Sequence, residues 1–161
     1  MLADFSQLDP QLNPIAEMPA IQCLILDDSI FDQRRIARAL KRTALNVETY
    51  EVASLDAFSA ALQFGKYDVL FVDFRLPEGS GFDALKTLAR TANGQRPKVI
   101  WVTGDVSYDW RKLHNVIGAD AFIDKQNVSD YDFKELILKV LNVSNTPEGS
   151  GHSPKPEFKT V

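Results

Sequence analysis

The sequence has a single cysteine and no apolar run near the ~20 residues that cross a bilayer. One thiol excludes an intrachain disulfide framework and any multi-cysteine metal site. Basic charge is not in excess: 18 Lys and Arg stand against 22 Asp and Glu, for a net charge of −4. That balance carries no general electrostatic case for nucleic acid or an anionic membrane. The opening, MLADFSQLDPQLNPIAEMP, lacks both the basic start and the apolar centre of a secretory signal. The expectation is a soluble protein of a reducing cytoplasm, with no membrane insertion. What is present is an ordinary globular mix, 45% hydrophobic and 25% charged over 161 residues. That suffices for one domain with a core, falls short of two, and argues against a wholly disordered chain.

The two ends differ from the middle. Pro10, Pro14 and Pro19 break helix and ladder alike, so residues 1–20 read as an arm. From about Ser144 the chain runs SNTPEGSGHSPKPEFKTV, which is without periodicity and reads as a flexible tail over 144–161. Residues 21–143 alternate regularly. IQCLILD, YDVLFVD and KVIWVT are apolar runs of strand length, expected to be buried on both faces. NVETYEVAS mixes polar residues on both faces, as an edge strand does, and ADAFID is a short strand. Ser29, Ser54 and Ser129 are candidate caps of three helices. Two more helices are expected over FDALKTLART and DVSYDWRKLHNVI, and Pro77, Gly79 and Gly81 mark a turn. Strict strand–helix alternation implies a parallel sheet with helices on both faces. Placing the weaker strands at the edges gives the order 2-1-3-4-5, an α/β, flavodoxin-like five-stranded sheet.

The chemistry gathers where the strands end. The first strand ends in Asp27 and Asp28, the third in Asp73, the fourth in Thr103, and the fifth in Asp124 and Lys125. In this order all are expected at one crevice, between the first and third strands. Several ionised carboxylates need a compensating cation. Oxygen ligands without His or Cys favour a hard ion, and Mg²⁺ suits a cluster with room for water and phosphate. Lys125 adds a fixed positive charge and Thr103 a hydroxyl that can donate to an anion. These parts suit phosphoryl transfer, with one carboxylate as nucleophile.

LILDDS, VDFRLPEGSGF, VTGD and FIDK stand in an order and spacing that resemble the receiver domain of two-component response regulators, chemotaxis receivers among them. The likeness covers residues 20–142. It implies that Asp73 accepts a phosphoryl group from a histidine kinase or a histidine phosphotransfer protein. It implies that Mg²⁺ is held by Asp28, by Asp27 partly through water, by Asp73, and by the backbone carbonyl of Arg75. Thr103 would bind a phosphoryl oxygen, Lys125 would pair with Asp73, and Phe122 would turn inward with Thr103 as the switch. Beyond self-catalysed phosphoryl transfer and hydrolysis, no enzyme activity is implied. With no effector domain evident, the expectation is a stand-alone regulator acting through a downstream protein.

The chain departs from the family pattern in places. Most members carry Pro after the Lys, often with a cis bond, whereas Gln126 stands here. A cis bond before a non-proline costs ~3 kcal/mol, so a trans loop of different shape is expected. Leu76 replaces a frequent Met. Arg75 and Asp105 border the mouth of the site. Arg34, Arg35, Arg38, Lys41 and Arg42 form a basic helix face, suited to an acidic partner or simply solvated. Trp101 reads as core. Three alternatives are weaker. A phosphatase of the haloacid dehalogenase type wants an Asp where Arg75 stands. A flavin protein wants a Ser/Thr/Gly-rich loop after the first strand. A pseudo-receiver, an interaction module without phosphorylation, need not keep the Asp, Thr and Lys set.

Overall fold

The computed structural model describes residues 19–91, 96–104 and 118–142. Nearly all of the expected arm, the helix over 105–117 with Asp105, and the tail over 144–161 lie outside the described residues. Those described form, in order, β1 (Ile21–Leu26), α1 (Ile30–Lys41), β2 (Val47–Val52), α2 (Leu55–Phe64), β3 (Val69–Asp73), β4 (Arg75–Leu76), β5 (Gly79–Ser80), α3 (Gly81–Thr91), β6 (Lys98–Thr103), β7 (Ala121–Asp124), a 3₁₀ helix (Lys125–Asp130) and α4 (Phe133–Asn142). None of these helices is long and apolar enough to cross a membrane.

Five strands make one sheet in the order β2-β1-β3-β6-β7, parallel throughout. Counting only its members, this is the expected 2-1-3-4-5. The antiparallel pair β4–β5 is separate and carries the turn at Pro77 and Gly79.

The apolar runs are explained by what covers them. Successive side chains on a strand point to opposite faces. Cys23 and Ile25 accordingly join a core with Ile36 and Leu40 of α1 and with Phe133, Ile137 and Val140 of α4. Leu24 and Leu26 join a second core with Phe58 of α2 and with Ala84 and Leu88 of α3. Residues 23–26 of β1 and 69–72 of β3 are fully buried. Burying one such large side chain stabilises by about 1.5–3 kcal/mol. β2 pairs only with β1, and its Glu48, Tyr50 and Glu51 are exposed, as expected of an edge.

Caps hold the helix starts. Ser29 Oγ accepts from Asp32 N at 3.3 Å, and Ser54 Oγ accepts from Ala57 N at 3.1 Å. The expected cap at Ser129 is a correction. Asp132 holds the start of α4, its Oδ1 accepting from Glu135 N at 3.0 Å, while Ser129 lies in the 3₁₀ helix with its hydroxyl on Asp130. A carboxylate placed three residues before Glu135 reaches that N–H, and the 3₁₀ helix occupies the residues before it. After α1, Ala44 takes a left-handed conformation at φ 57°, where Thr43 Oγ1 accepts from Leu45 N at 3.2 Å.

Candidate functional site

β1 and β3 are neighbours in register, Leu26 beside Val72. Asp27 and Asp73 therefore emerge at the same level, beyond the carboxyl ends of the central strands. Asp27 is fixed before it meets any partner in the site. Its N–H donates to Val52 O at 3.1 Å, its carbonyl accepts from Gln33 Nε2 at 2.6 Å, and its Oδ1 accepts from Ser29 N at 2.9 Å. Asp73 is the last residue of β3, and its Oδ1 accepts from Arg75 N at 3.2 Å. The remaining oxygens, Asp27 Oδ2 and Asp73 Oδ2, each lie 2.7 Å from Lys125 Nζ. Asp28 is exposed beside them. Its carboxylate and those of Asp27 and Asp73 each place an oxygen within 4.8 Å of the others.

The loop under Asp73 is tightly built. Gly81 N donates to Phe74 O at 2.9 Å and Phe74 N to Val102 O at 3.3 Å. A Cβ at Gly81 would stand 2.6 Å from Trp101 Cζ3 and 2.8 Å from the Asp73 carbonyl oxygen, so only glycine fits. Phe74, Phe82 and buried Trp101 pack with ring centroids 5.4–5.5 Å apart, an apolar cluster under the loop that follows Asp73.

Burial costs a charge its hydration. Asp27 is 1% and Asp73 5% exposed. Burial pushes both carboxyl groups above the usual carboxylate value. Lys125 opposes this at each, helped by Ser29 N–H at Asp27 and Arg75 N–H at Asp73, and does not cancel it. Burial alone would pull Lys125 down. Its bonds to Asp27 and Asp73 outweigh that and hold the ammonium charged well above the usual range. Asp27 and Asp73 thus share the Lys125 ammonium, with the exposed Asp28 carboxylate beside them. An oxygen-only trio with surplus negative charge fits a hard divalent ion, and the Mg²⁺ set read from the sequence is compatible with it.

Thr103 ends β6, one residue past Val102, the register partner of Asp73, and is 5% exposed. Phe122 in β7 is half-buried beside Trp101 and packs on the second core. Arg75 is adjacent through its N–H. Asp124 is a correction to the expected cluster. Its carboxylate turns to its own loop, accepting from Gln126 N at 2.8 Å and Asn127 Nδ2 at 2.9 Å. Two groups were not expected. Asp32 Oδ2 lies 3.4 Å from Lys125 Nζ, and Arg35 Nη1 donates to the Lys125 carbonyl at 2.9 Å. Of the basic face of α1, Arg34, Arg38, Lys41 and Arg42 are exposed, whereas Arg35 is half-buried against Lys125. Ninety residues separate Arg35 from Lys125, and no local pattern marks such a pair.

The residue types that meet here are those read from the sequence as a receiver's, and the comparisons give the same family. The response regulator receiver domain matches residues 23–138, more than half of the chain. The chain belongs to that family. No curated protein sequence matches it. Among solved structures it is similar to the receiver domain of a sensor histidine kinase from Pseudomonas aeruginosa, described with a magnesium ion coordinated in the active site cleft. That likeness has TM-score 0.64 at 18% identity over 77% of this chain and 99% of that one. It is also similar to the response regulator domain of CheB from Thermotoga maritima (TM-score 0.61, 22% identity, 77% and 98% covered). The chemotaxis response regulator CheY4 of Vibrio cholerae gives TM-score 0.60 at 18% identity, with 76% and 100% covered. At these identities the likeness establishes the fold.

Proposed function

We propose that the protein is a response regulator that accepts a phosphoryl group on Asp73 and signals through its protein surface. The observation that carries this is the meeting of Asp27, Asp28 and Asp73 with Lys125 Nζ at 2.7 Å from Asp73 Oδ2. An oxygen of Asp73 attacks the phosphorus of a phosphohistidine on a kinase or phosphotransfer protein. The P–N bond breaks and imidazole leaves with the electron pair, taking up a proton. Hydrolysis of the acyl phosphate restores the carboxylate.

Mg²⁺, held by Asp27, Asp28, Asp73 and the Arg75 carbonyl, would neutralise phosphoryl oxygens during the transfer. A neighbour described with magnesium in its cleft supports that choice. Lys125 favours the ionised form of Asp73 against the effect of burial and would pair with a phosphoryl oxygen after transfer. The Thr103 hydroxyl, at the carboxyl end of β6, is the candidate donor, and its movement would let half-buried Phe122 turn inward, a small shift amplified by a two-state packing. The protein acts on no other substrate in this reading, and its place is the cytoplasm, where its kinase partners present phosphohistidine.

The test is intact mass after incubation with acetyl phosphate, with and without Mg²⁺, for wild type and Asp73→Asn. One phosphoryl adduct that needs both Mg²⁺ and Asp73 is expected. An adduct that survives Asp73→Asn overturns the assignment. No adduct from acetyl phosphate or from a phosphorylated histidine protein would leave an interaction module that works without phosphorylation.

A further inference from the structure

The loop after Lys125 has Gln126 where a proline is usual, and the structure shows a different way of holding it. Gln126 uses a backbone N–H that proline lacks, donating to Asp124 Oδ1 at 2.8 Å. Asn127 Nδ2 takes the other oxygen at 2.9 Å. Val128 anchors the following 3₁₀ turn in the core, 4% exposed. These contacts shape the loop and leave Lys125 itself to be fixed from elsewhere.

α1 does this at both ends of the residue. Arg35 Nη1 donates to the Lys125 carbonyl at 2.9 Å. Asp32 Oδ2 stands 3.4 Å from Lys125 Nζ, and Asp32 Oδ1 is 3.4 Å from Arg35 Nη1. The guanidinium lies 5.6 Å from the centre of the Phe31 ring, which limits its sideways movement. The Arg35 and Asp32 side chains are 28% and 21% exposed, so the contacts are only partly screened. A cationic donor to a neutral carbonyl in such a place is stronger than a neutral pair.

We propose that Arg35 is a positioning residue for Lys125: with Asp32 it holds the loop so that the ammonium stands against Asp73. Arg35 touches no reacting atom and works through Lys125. The proposal rests on the reading of Asp73 as phosphoryl acceptor. Misplacement of a catalytic group by about 1 Å costs roughly 10²-fold in rate. A loosened loop that still visits the right position should cost less, about tenfold.

The experiment compares the full chain with Arg35→Ala, Lys125→Ala and the double variant, in two arms. The first measures the rate of phosphoryl adduct formation at saturating acetyl phosphate and Mg²⁺. Arg35→Ala should be about tenfold slow in the wild-type background and under twofold slow when Lys125 is already alanine, since residues in one network are not additive. The same factor in both backgrounds overturns the proposal. The second arm needs no phosphorylation. It follows acetylation by acetic anhydride, read by peptide mass, of Lys125 against exposed Lys134. Arg35→Ala should raise Lys125 labelling at least threefold and leave Lys134 unchanged; an unchanged Lys125 overturns the proposal. If wild type takes no phosphoryl group, the reading of Asp73 fails and the labelling arm alone decides about Arg35. If Arg35→Ala does not fold, Arg35→Gln, which loses the charge and the reach, replaces it in both arms.

Discussion

The two ends of the parallel sheet use the same side chain for opposite purposes. At the amino end, Asp68 Oδ2 accepts from Gln22 N at 2.8 Å, and Asp120 Oδ2 accepts from Val99 N at 2.8 Å while Oδ1 meets Lys98 Nζ at 3.2 Å. Each carboxylate there ties two neighbouring strands together and stands apart from the others. At the carboxyl end, Asp27, Asp28 and Asp73 converge, two of them are buried, and burial lifts both carboxyl groups above their usual range. Acids that take backbone N–H groups one by one stabilise the sheet. Acids driven together beside the Lys125 ammonium hold a surplus of negative charge that a bound cation would relieve. Crowding, and not acidity, separates the site from the scaffold.

Substitutions at the two ends should therefore separate cleanly. The largest effect is at Asp73, where Asn is expected to lower Mg²⁺-dependent phosphoryl incorporation below detection in the mass assay. The same change relieves a crowded charge but leaves one amide oxygen where Lys125 and the Arg75 N–H had one each, so without Mg²⁺ the midpoint of thermal unfolding should rise by only about 2 °C. Asp120→Ala does the reverse. It strips the Val99 N–H of its acceptor, costs about 1–2 kcal/mol in urea unfolding, and leaves phosphoryl incorporation intact.

The pH dependence has a definite sign. The folded carboxyl groups of Asp27 and Asp73 are raised above 3.8. Their contribution to the stability of the metal-free protein is thus fully present below the unfolded value and is lost as pH rises through the folded ones. Mg²⁺ needs the ionised forms, so its affinity should fall as pH drops through those same folded values, at higher pH than for an exposed carboxylate. Calorimetric titration across acidic pH checks this. The smallest effect lies in the loop between α1 and β2. Ala44→Gly relieves the positive φ after α1, and should stabilise by about 0.5–1 kcal/mol.

Much of this arrangement is legible in the sequence, and the remainder is hidden for physical reasons. β1, β3 and β6 announce themselves because burial on both faces leaves them uninterruptedly apolar. Ser29 and Ser54 are readable because a cap acts within three residues. Asp27, Asp28 and Asp73 are readable because strand ends and topology together fix a crevice. Asp124 misleads, since position at a strand end does not say whether a carboxylate faces the crevice or its own loop, and Gln126 N–H offered it a nearer partner. Ser129 misleads because two side chains of capping type stand three residues apart and the core placement of Val128 and Phe133 decides between them. The roles of Asp32 and Arg35 depend on how α1 lies against a loop ninety residues on. A helical wheel can show only that Arg35 belongs to a charged face.

The most direct measurement is the thermal midpoint against Mg²⁺ concentration for wild type, Asp28→Asn and Asp120→Asn. A site-bound ion stabilises by about 1.4 kcal/mol at ten times its Kd. The midpoint should climb with Mg²⁺ in wild type and in Asp120→Asn, and stay flat in Asp28→Asn. A flat wild type, or an equal climb in all three, would contradict the claim that the carboxyl-end acids form a cation site distinct from the acids that stitch the sheet.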